Sequence, residues 1–276
     1  MNDEGVDSRF TVALISDVFW QEDGEDRLRS HLTAARDSGA NLAVLPELPL
    51  NPWSAATTQA LDDDCEGPSG SRWSLQSGLA AEIGIGLVGG VILLGEDGIR
   101  RNTALVFAPD GSLLGSWEKA HIPDEPGFRE SDHYARGRDV PTPIEGLGPP
   151  LGVQICSDVN RPEGTHLLAA QGAELVVAPR ATEQCTWHRW KPVLIANALT
   201  SCCWVASVNR PEPEQDVLIG GPSFAVSPDG EILLETTDTI GLFTFDRSEL
   251  SRRRVEYPGY LDVRADLYHQ GWGRLL

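Results

Sequence analysis

The chain has 276 residues, 41% hydrophobic and 23% charged, enough apolar material for one large core and no reason to expect a second domain. Its formal net charge of −19 argues against binding a phosphate backbone, which needs clustered Lys and Arg, so nucleic acid is not an expected partner. No run reaches the ~18 apolar residues of a membrane helix, and the opening MNDEGVDSRF is acidic, unlike a secretion signal, so no membrane partner and a cytoplasmic location are expected.

In chain order, Phe10 to Ile15 predicts a strand. Glu25 to Ser38 follows with Leu28, Leu32 and Ala35 at helical spacing until Gly39 stops it, and Leu42 to Leu45 is a short apolar run ending in Pro46-Glu47. Trp73 to Ile83 predicts a helix, Gly86 to Leu94 and Thr103 to Phe107 strands, and Pro109-Asp110-Gly111 turns the latter into Leu113 to Trp117. The second half repeats the scheme: strand Leu151 to Cys156, helix Pro162 to Ala170 with Pro near its start, strand Leu175 to Ala178, helix Lys191 to Thr200 and strand Trp204 to Val208. A second hairpin, Ser223 to Ser227 and Ile232 to Thr236, turns on Pro228-Asp229-Gly230. Strands without a polar alternate face must be covered on both sides. The pattern therefore predicts a pseudo-duplicated α/β architecture, two sheets packed face to face with helices outside. Residues 256–276 form an aromatic tail with little periodicity, expected to dock on a partner subunit or wrap the core.

Three stretches close an apolar strand with a reactive side chain: LAVLPEL with Glu47, GSWEKAHIPDEPGFRE with Lys119 and Glu130, and VQICSD with Cys156. Residues just past strand ends line the crevice of α/β sheets, so these can converge. Taken singly, each has an ordinary reading: a surface carboxylate, a solvated lysine, a small buried thiol, with His121 a structural histidine. Lys119 and Lys191 are the only lysines, which makes each worth explaining. Cysteines 65, 156, 185, 202 and 203 lack C-x-x-C spacing, so neither a disulfide framework nor a zinc site is expected.

The order Glu, Lys, Cys at strand ends resembles the nitrilase, or carbon–nitrogen hydrolase, superfamily. The likeness runs from FTVALIS through LPEL, EKAHIPDEPGF, VQICSD, SVNR and GGPSFAVSPDGEILLE to VRADLY, and EKAHIPDEPGFRE is similar to the N-carbamoylputrescine amidase and β-ureidopropionase side of the family. The resemblance implies an α-β-β-α sandwich, no cofactor and no metal, with Glu47 as general base, Lys119 as transition-state lysine, Cys156 as nucleophile and Glu130 as a supporting glutamate. It also implies a homodimer or higher homo-oligomer. The chemistry is coherent: a thiol attacks a poor electrophile, a carboxylate moves its proton, and the Lys119 ammonium with the Ser157 backbone N–H holds the oxyanion.

The stretch Ser157 to Arg161 departs from the family pattern, which places aromatic residues there, and implies a more polar pocket wall. Asp158 and Glu163 suit turn-fixing and capping of the next helix. Specificity belongs to loops, among them Arg180 to Trp187. Arg180 is a candidate for a substrate carboxylate or a structural ion pair, Trp187 a candidate substrate contact, and Asp124 and Glu125 are candidates for a cationic amine or simply turn formers. Two functional classes follow: an amidohydrolase releasing ammonia from a small linear amide or N-carbamoyl compound, or a catalytically silent, metabolite-binding member of the same fold.

Overall fold

The computed structural model describes residues 8–275; the acidic segment 1–7, on which the expected lack of a secretion signal rests, and residue 276 lie outside the described residues. The first half is built from β1 (Arg9–Ile15), α1 (Gly24–Asp37), β2 (Leu42–Val44), β3 (Cys65–Glu66), α2 (Ser71–Ile83), β4 (Gly86–Leu94), β5 (Arg100–Phe107) and β6 (Leu113–Glu118). The second is built from β7 (Leu151–Val153), α3 (Pro162–Ala170), β8 (Leu175–Arg180), α4 (Trp187–Ser201), β9 (Trp204–Asn209), β10 (Ser223–Val226) and β11 (Ile232–Thr236). Then β12 (Ile240–Asp246), α5 (Ser248–Val255) and α6 (Ala265–Trp272) close the chain.

The halves are counterparts. Parallel β1, β2 and β4 continue into antiparallel β5 and β6, as parallel β7, β8 and β9 continue into antiparallel β10 and β11. Both Pro-Asp-Gly hairpins place their glycine in the left-handed region, φ 81° at Gly111 and 78° at Gly230, and each shifts register in the strand entering the turn. The strand β12 then crosses back to pair with β1 along its whole length.

Alternation along the strands produces the layers. Val12, Leu14, Val88 and Val106 of the first sheet meet Val153, Val177, Ala206 and Ala225 of the second. The alternate residues of the first sheet, such as Ile15, Leu87 and Phe107, pack on Leu28 and Leu32 of α1 and Leu79 of α2. Those of the second, such as Val176, Val205 and Phe224, pack on Leu168 of α3 and Leu194 of α4. The result is the four-layer α-β-β-α sandwich that the doubly apolar strands predict.

Four expectations need correction. The strand from Leu151 stops at Val153, because the Asp158 carboxylate takes the backbone N–H of Ile155 (3.1 Å) and pulls the chain into a 3₁₀ turn over Cys156–Asn160. The helix α4 starts at Trp187, not Lys191, and runs through Pro192, whose ring removes one donor without ending the helix. The strand β12 and helix α5 were not anticipated, and the tail thought aperiodic contains α6. Among the described residues no helix is long and apolar enough to cross a membrane.

On β12, Phe245 stacks against Trp204 of β9 at 4.3 Å and lies 5.7 Å from Phe10 of β1, so one ring joins the two sheets. Phe245→Ala is expected to cost about 3–5 kcal/mol, read as a lower urea midpoint at unchanged m-value.

Candidate active site

Chain just past β2 and just past β6, at one end of the first sheet, meets around one lysine. Fully buried Lys119 donates to Glu47 Oε1 at 2.7 Å and to both oxygens of Glu130, at 2.7 and 2.6 Å. Burial would lower the Lys119 ammonium, but the carboxylates of Glu130 and Glu47 outweigh it and hold it above its ordinary range. Glu130, also fully buried, is raised by desolvation and by repulsion from Glu47, with Lys119 opposing. Two carboxyl groups thus share one ammonium. Of Glu47, 2% exposed, Oε1 also accepts from Asn102 Nδ2 (2.7 Å), whereas Oε2 has no hydrogen-bond partner among the described residues.

Cys156 opens the 3₁₀ turn with φ at 47°, a left-handed conformation that costs a non-glycine residue about 1–3 kcal/mol. Its thiol, 4% exposed, points at the Ala181 carbonyl, 3.7 Å away. Desolvation and the Glu47 carboxylate push the thiol well above its usual range despite Lys119. Cys156 at rest is therefore a protonated thiol in electrostatic contact with a carboxylate that has a free oxygen. Ser157 is the second residue of the turn, where backbone N–H groups lack intrahelical partners, and its hydroxyl donates to the His121 carbonyl.

Beside the thiol lies a cavity of about 150 Å³, with Ser157, Thr182 and Trp190 in its wall. An open groove of about 1020 Å³ at the edge of the first sheet is larger, but neither cysteine nor carboxylate lines it. Of the candidate substrate contacts, none of Arg180, Asp124 and Trp187 lines the cavity. Arg180 ends β8 on the face shared with Val176 and Ala178, which looks into the helix layer. There it is fully buried and donates to Ser207 Oγ (2.9 Å), Thr182 Oγ1 (2.7 Å) and the Pro222 carbonyl, with its guanidinium 5.0 Å over Trp187. No carboxylate pairs with it among the described residues, so it makes no ion pair either, and burial pulls it down to about 10. Asp124 points outward to Arg129 (3.1 Å), and a tight turn closed by Phe128 N–H to the Glu125 carbonyl (2.8 Å) puts Glu125 in the wall instead. Trp187 donates to Glu235 (2.9 Å) and packs on Phe224; Trp190, one turn further along α4, faces the cavity.

Sequence reasoning gave no role to several residues that hold this arrangement. Tyr134 Oη donates to Glu130 Oε2 at 2.7 Å. Arg210, just past β9 in the SVNR stretch, donates to the carbonyls of Glu47 (2.9 Å) and Leu48 (2.8 Å) and pairs with Glu214 (2.7 Å), so the second half clamps the Glu47 backbone of the first. Asp158 does more than fix a turn. Its Oδ1 accepts from the backbone of Ala120 (3.2 Å) and His121 (2.9 Å), and its Oδ2 from Trp117 Nε1 (2.8 Å), tying the cysteine turn to both sides of Lys119. The motif EKAH marked the loop and Asp158 read as a turn former, but nothing in the sequence linked the two.

Fold and site together define an α-β-β-α hydrolase with a buried carboxylate–lysine cluster beside a strained cysteine. The carbon-nitrogen hydrolase family profile matches residues 16–252, and the chain belongs to that family. It is 31% identical over 265 residues to omega-amidase NIT2-A of Xenopus laevis, covering 93% of this chain and 94% of the relative. It is also 31% identical over 274 residues to the Mus musculus omega-amidase NIT2, covering 95% and 97%. The carbon-nitrogen hydrolase of Helicobacter pylori G27 superposes with a TM-score of 0.84 at 23% identity, covering 95% of this chain and 97% of that one. A mutant amidase from Nesterenkonia sp. AN1, solved with the acetamide moiety of fluoroacetamide added covalently at its active-site cysteine, superposes at 0.75 with 25% identity, covering 95% and 97%. This chain is a cysteine amidohydrolase that cleaves amide C–N bonds.

Because Asp158 sets the distance between the cysteine turn and Lys119, Asp158→Asn is expected to lower kcat about 10²-fold with the far-UV circular dichroism unchanged. Wild-type kcat in a folded variant would show that the tether does not position the site.

Proposed function

We propose that the chain hydrolyses a small linear amide or N-carbamoyl compound through a thioester on Cys156, with release of ammonia. The observation that carries this is the Glu47 Oε2, unpartnered among the described residues, in a buried cluster close enough to interact electrostatically with a strained thiol that is protonated at rest. Cys156 Sγ attacks the carbonyl carbon while Glu47 takes the thiol proton; the ammonium of Lys119 and the Ser157 N–H hold the oxyanion. The adduct collapses as Glu47 returns the proton to the leaving nitrogen. Water, deprotonated by Glu47, then attacks the thioester and frees the thiol. Glu130 keeps Lys119 in place.

The relatives named omega-amidases support an amide, and EKAHIPDEPGFRE supports a carbamoyl compound; a cavity of about 150 Å³ admits either only if small. The five unpaired thiols suit a reducing cytoplasm. In the tail, Tyr257, Tyr260, Tyr268 and Trp272 are each more than half exposed, which supports docking on a second copy.

Ammonia release from a panel of small amides and carbamoyl compounds tests the activity. Cys156→Ala should abolish it and Glu47→Gln should lower kcat about 10²–10⁴-fold, with acyl mass trapped on the Cys156 peptide. Turnover by Cys156→Ala would sink the mechanism. Sedimentation velocity should give a dimer that falls to monomer when residues 257–276 are removed, whereas a wild-type monomer would refute the docking.

A further inference from the structure

The ionisable side chains on the cavity wall are all acidic. Glu125, Glu130 and Glu183 line it together with the Cys156 thiol, and no lysine or arginine does. The cations nearby are committed elsewhere: Lys119 to Glu47 and Glu130, Arg129 to Asp124, and Arg180 to the helix layer. Glu130 belongs to the buried cluster, which leaves Glu125, exposed, and Glu183, half-buried. Neither side chain has a hydrogen bond or ion pair among the described residues.

A chain with 41 acidic and 22 basic residues must leave many carboxylates unpaired, so the lack of a partner alone says little. Placement is what distinguishes these two. They share the wall with Phe128 and Trp190, and aromatic faces also attract cations. A carboxylate entering this cavity would meet like charge with no donor cation to receive it, whereas an ammonium would meet carboxylates and π-faces. The cavity, about 150 Å³, is close in size to one that holds about six heavy atoms, the count in a four-carbon amide such as butyramide.

We propose that the site selects amides with a cationic far end over those with a carboxylate far end, and that Glu125 and Glu183 make the selection. This deepens the hydrolase reading and rests on the same pocket. It separates the chain's preference from what family membership alone would suggest, because the discrimination lies in two loop residues, one before Phe128 and one after β8.

The test is a charge series of equal chain length: butyramide, γ-aminobutyramide and succinamate. At low salt kcat/KM for γ-aminobutyramide should exceed that for succinamate about 100-fold. The ratio should shrink in about 0.5 M NaCl, since Glu125 is exposed to screening. In an E125Q/E183Q double variant it should fall at least about tenfold, through a loss for the amine and a gain for the acid, each relative to butyramide. Succinamate used as well as γ-aminobutyramide, or a ratio unmoved by the double variant, would overturn the proposal. Calorimetric binding of the same compounds to Cys156→Ala judges it without turnover. Tighter binding of the amine supports it even if wild type hydrolyses nothing, an outcome that would remove the hydrolase reading alone. Equal or tighter binding of succinamate, or no binding of any of the three, refutes it.

Discussion

A lysine with no exposure, held by two carboxylates with none to spare for solvent, is the constraint around which the rest of the molecule is arranged. Taking such charges out of water costs several kcal/mol per ion, recovered only when the geometry is good and the remaining lone pairs are satisfied. That requirement explains the neighbours. Asn102 on β5 serves Glu47 and Tyr134 serves Glu130, while the backbone of Lys119 itself pairs with the Asn102 carbonyl at 2.9 Å. One carboxylate oxygen escapes this accounting. Glu47 Oε2 is buried and unpaired, an unfavourable state for a structural group and a suitable one for a base awaiting a proton.

The cluster belongs to the first half of the duplicated fold and the cysteine to the second, so the site exists only where the halves meet. Several polar ties span that seam, and two of them bear directly on the site. Arg210 reaches from beyond β9 to the carbonyls of Glu47 and Leu48, and Leu48 is itself left-handed at φ 48°. Asp158 reaches from the cysteine turn to the backbone on the far side of Lys119. Leu48 and Cys156, two of the left-handed non-glycine residues, each sit directly against one of these ties, and such conformations persist only where surrounding contacts over-determine them.

Much of this was legible in the sequence because period and punctuation are local. Doubly apolar strands, Pro-Asp-Gly turns and a glycine after a helix each carry their own physical reason, and they were enough for the layers and both hairpins. The order of Glu47, Lys119 and Cys156 was legible as well, since each follows an apolar run. What escaped depends on contacts between distant segments. The end of β7 is decided by Asp158 capturing an amide three residues back, and Arg180 is directed into the helix layer by the parity of β8. Asp124 and Glu125 look equivalent in DEPG; only the closed turn shows which one faces the thiol. The strand β12 escaped because its apolar residues, Phe243 and Phe245, acquire their meaning from Trp204 in the opposite sheet.

The raised thiol pKa constrains how the proposed chemistry can run. Burial disfavours a resting thiolate first, Glu47 repels one, and Lys119, shared between two carboxyl groups, offsets this only in part. The proton must therefore leave as Sγ attacks, which places the demand on the distance between Glu47 and Cys156 more than on any prior ionisation. Nor is Lys119 free at rest, since an ammonium has three donors and three oxygens lie within 2.7 Å of it. To meet an oxyanion it must release one of them. Glu130 is the group able to yield, because it holds the lysine through two oxygens and keeps Tyr134 on one of them when the other is withdrawn. In the proposed chemistry, a bidentate partner that can become monodentate leaves the ammonium buried and paired throughout, which a single carboxylate contact would not allow.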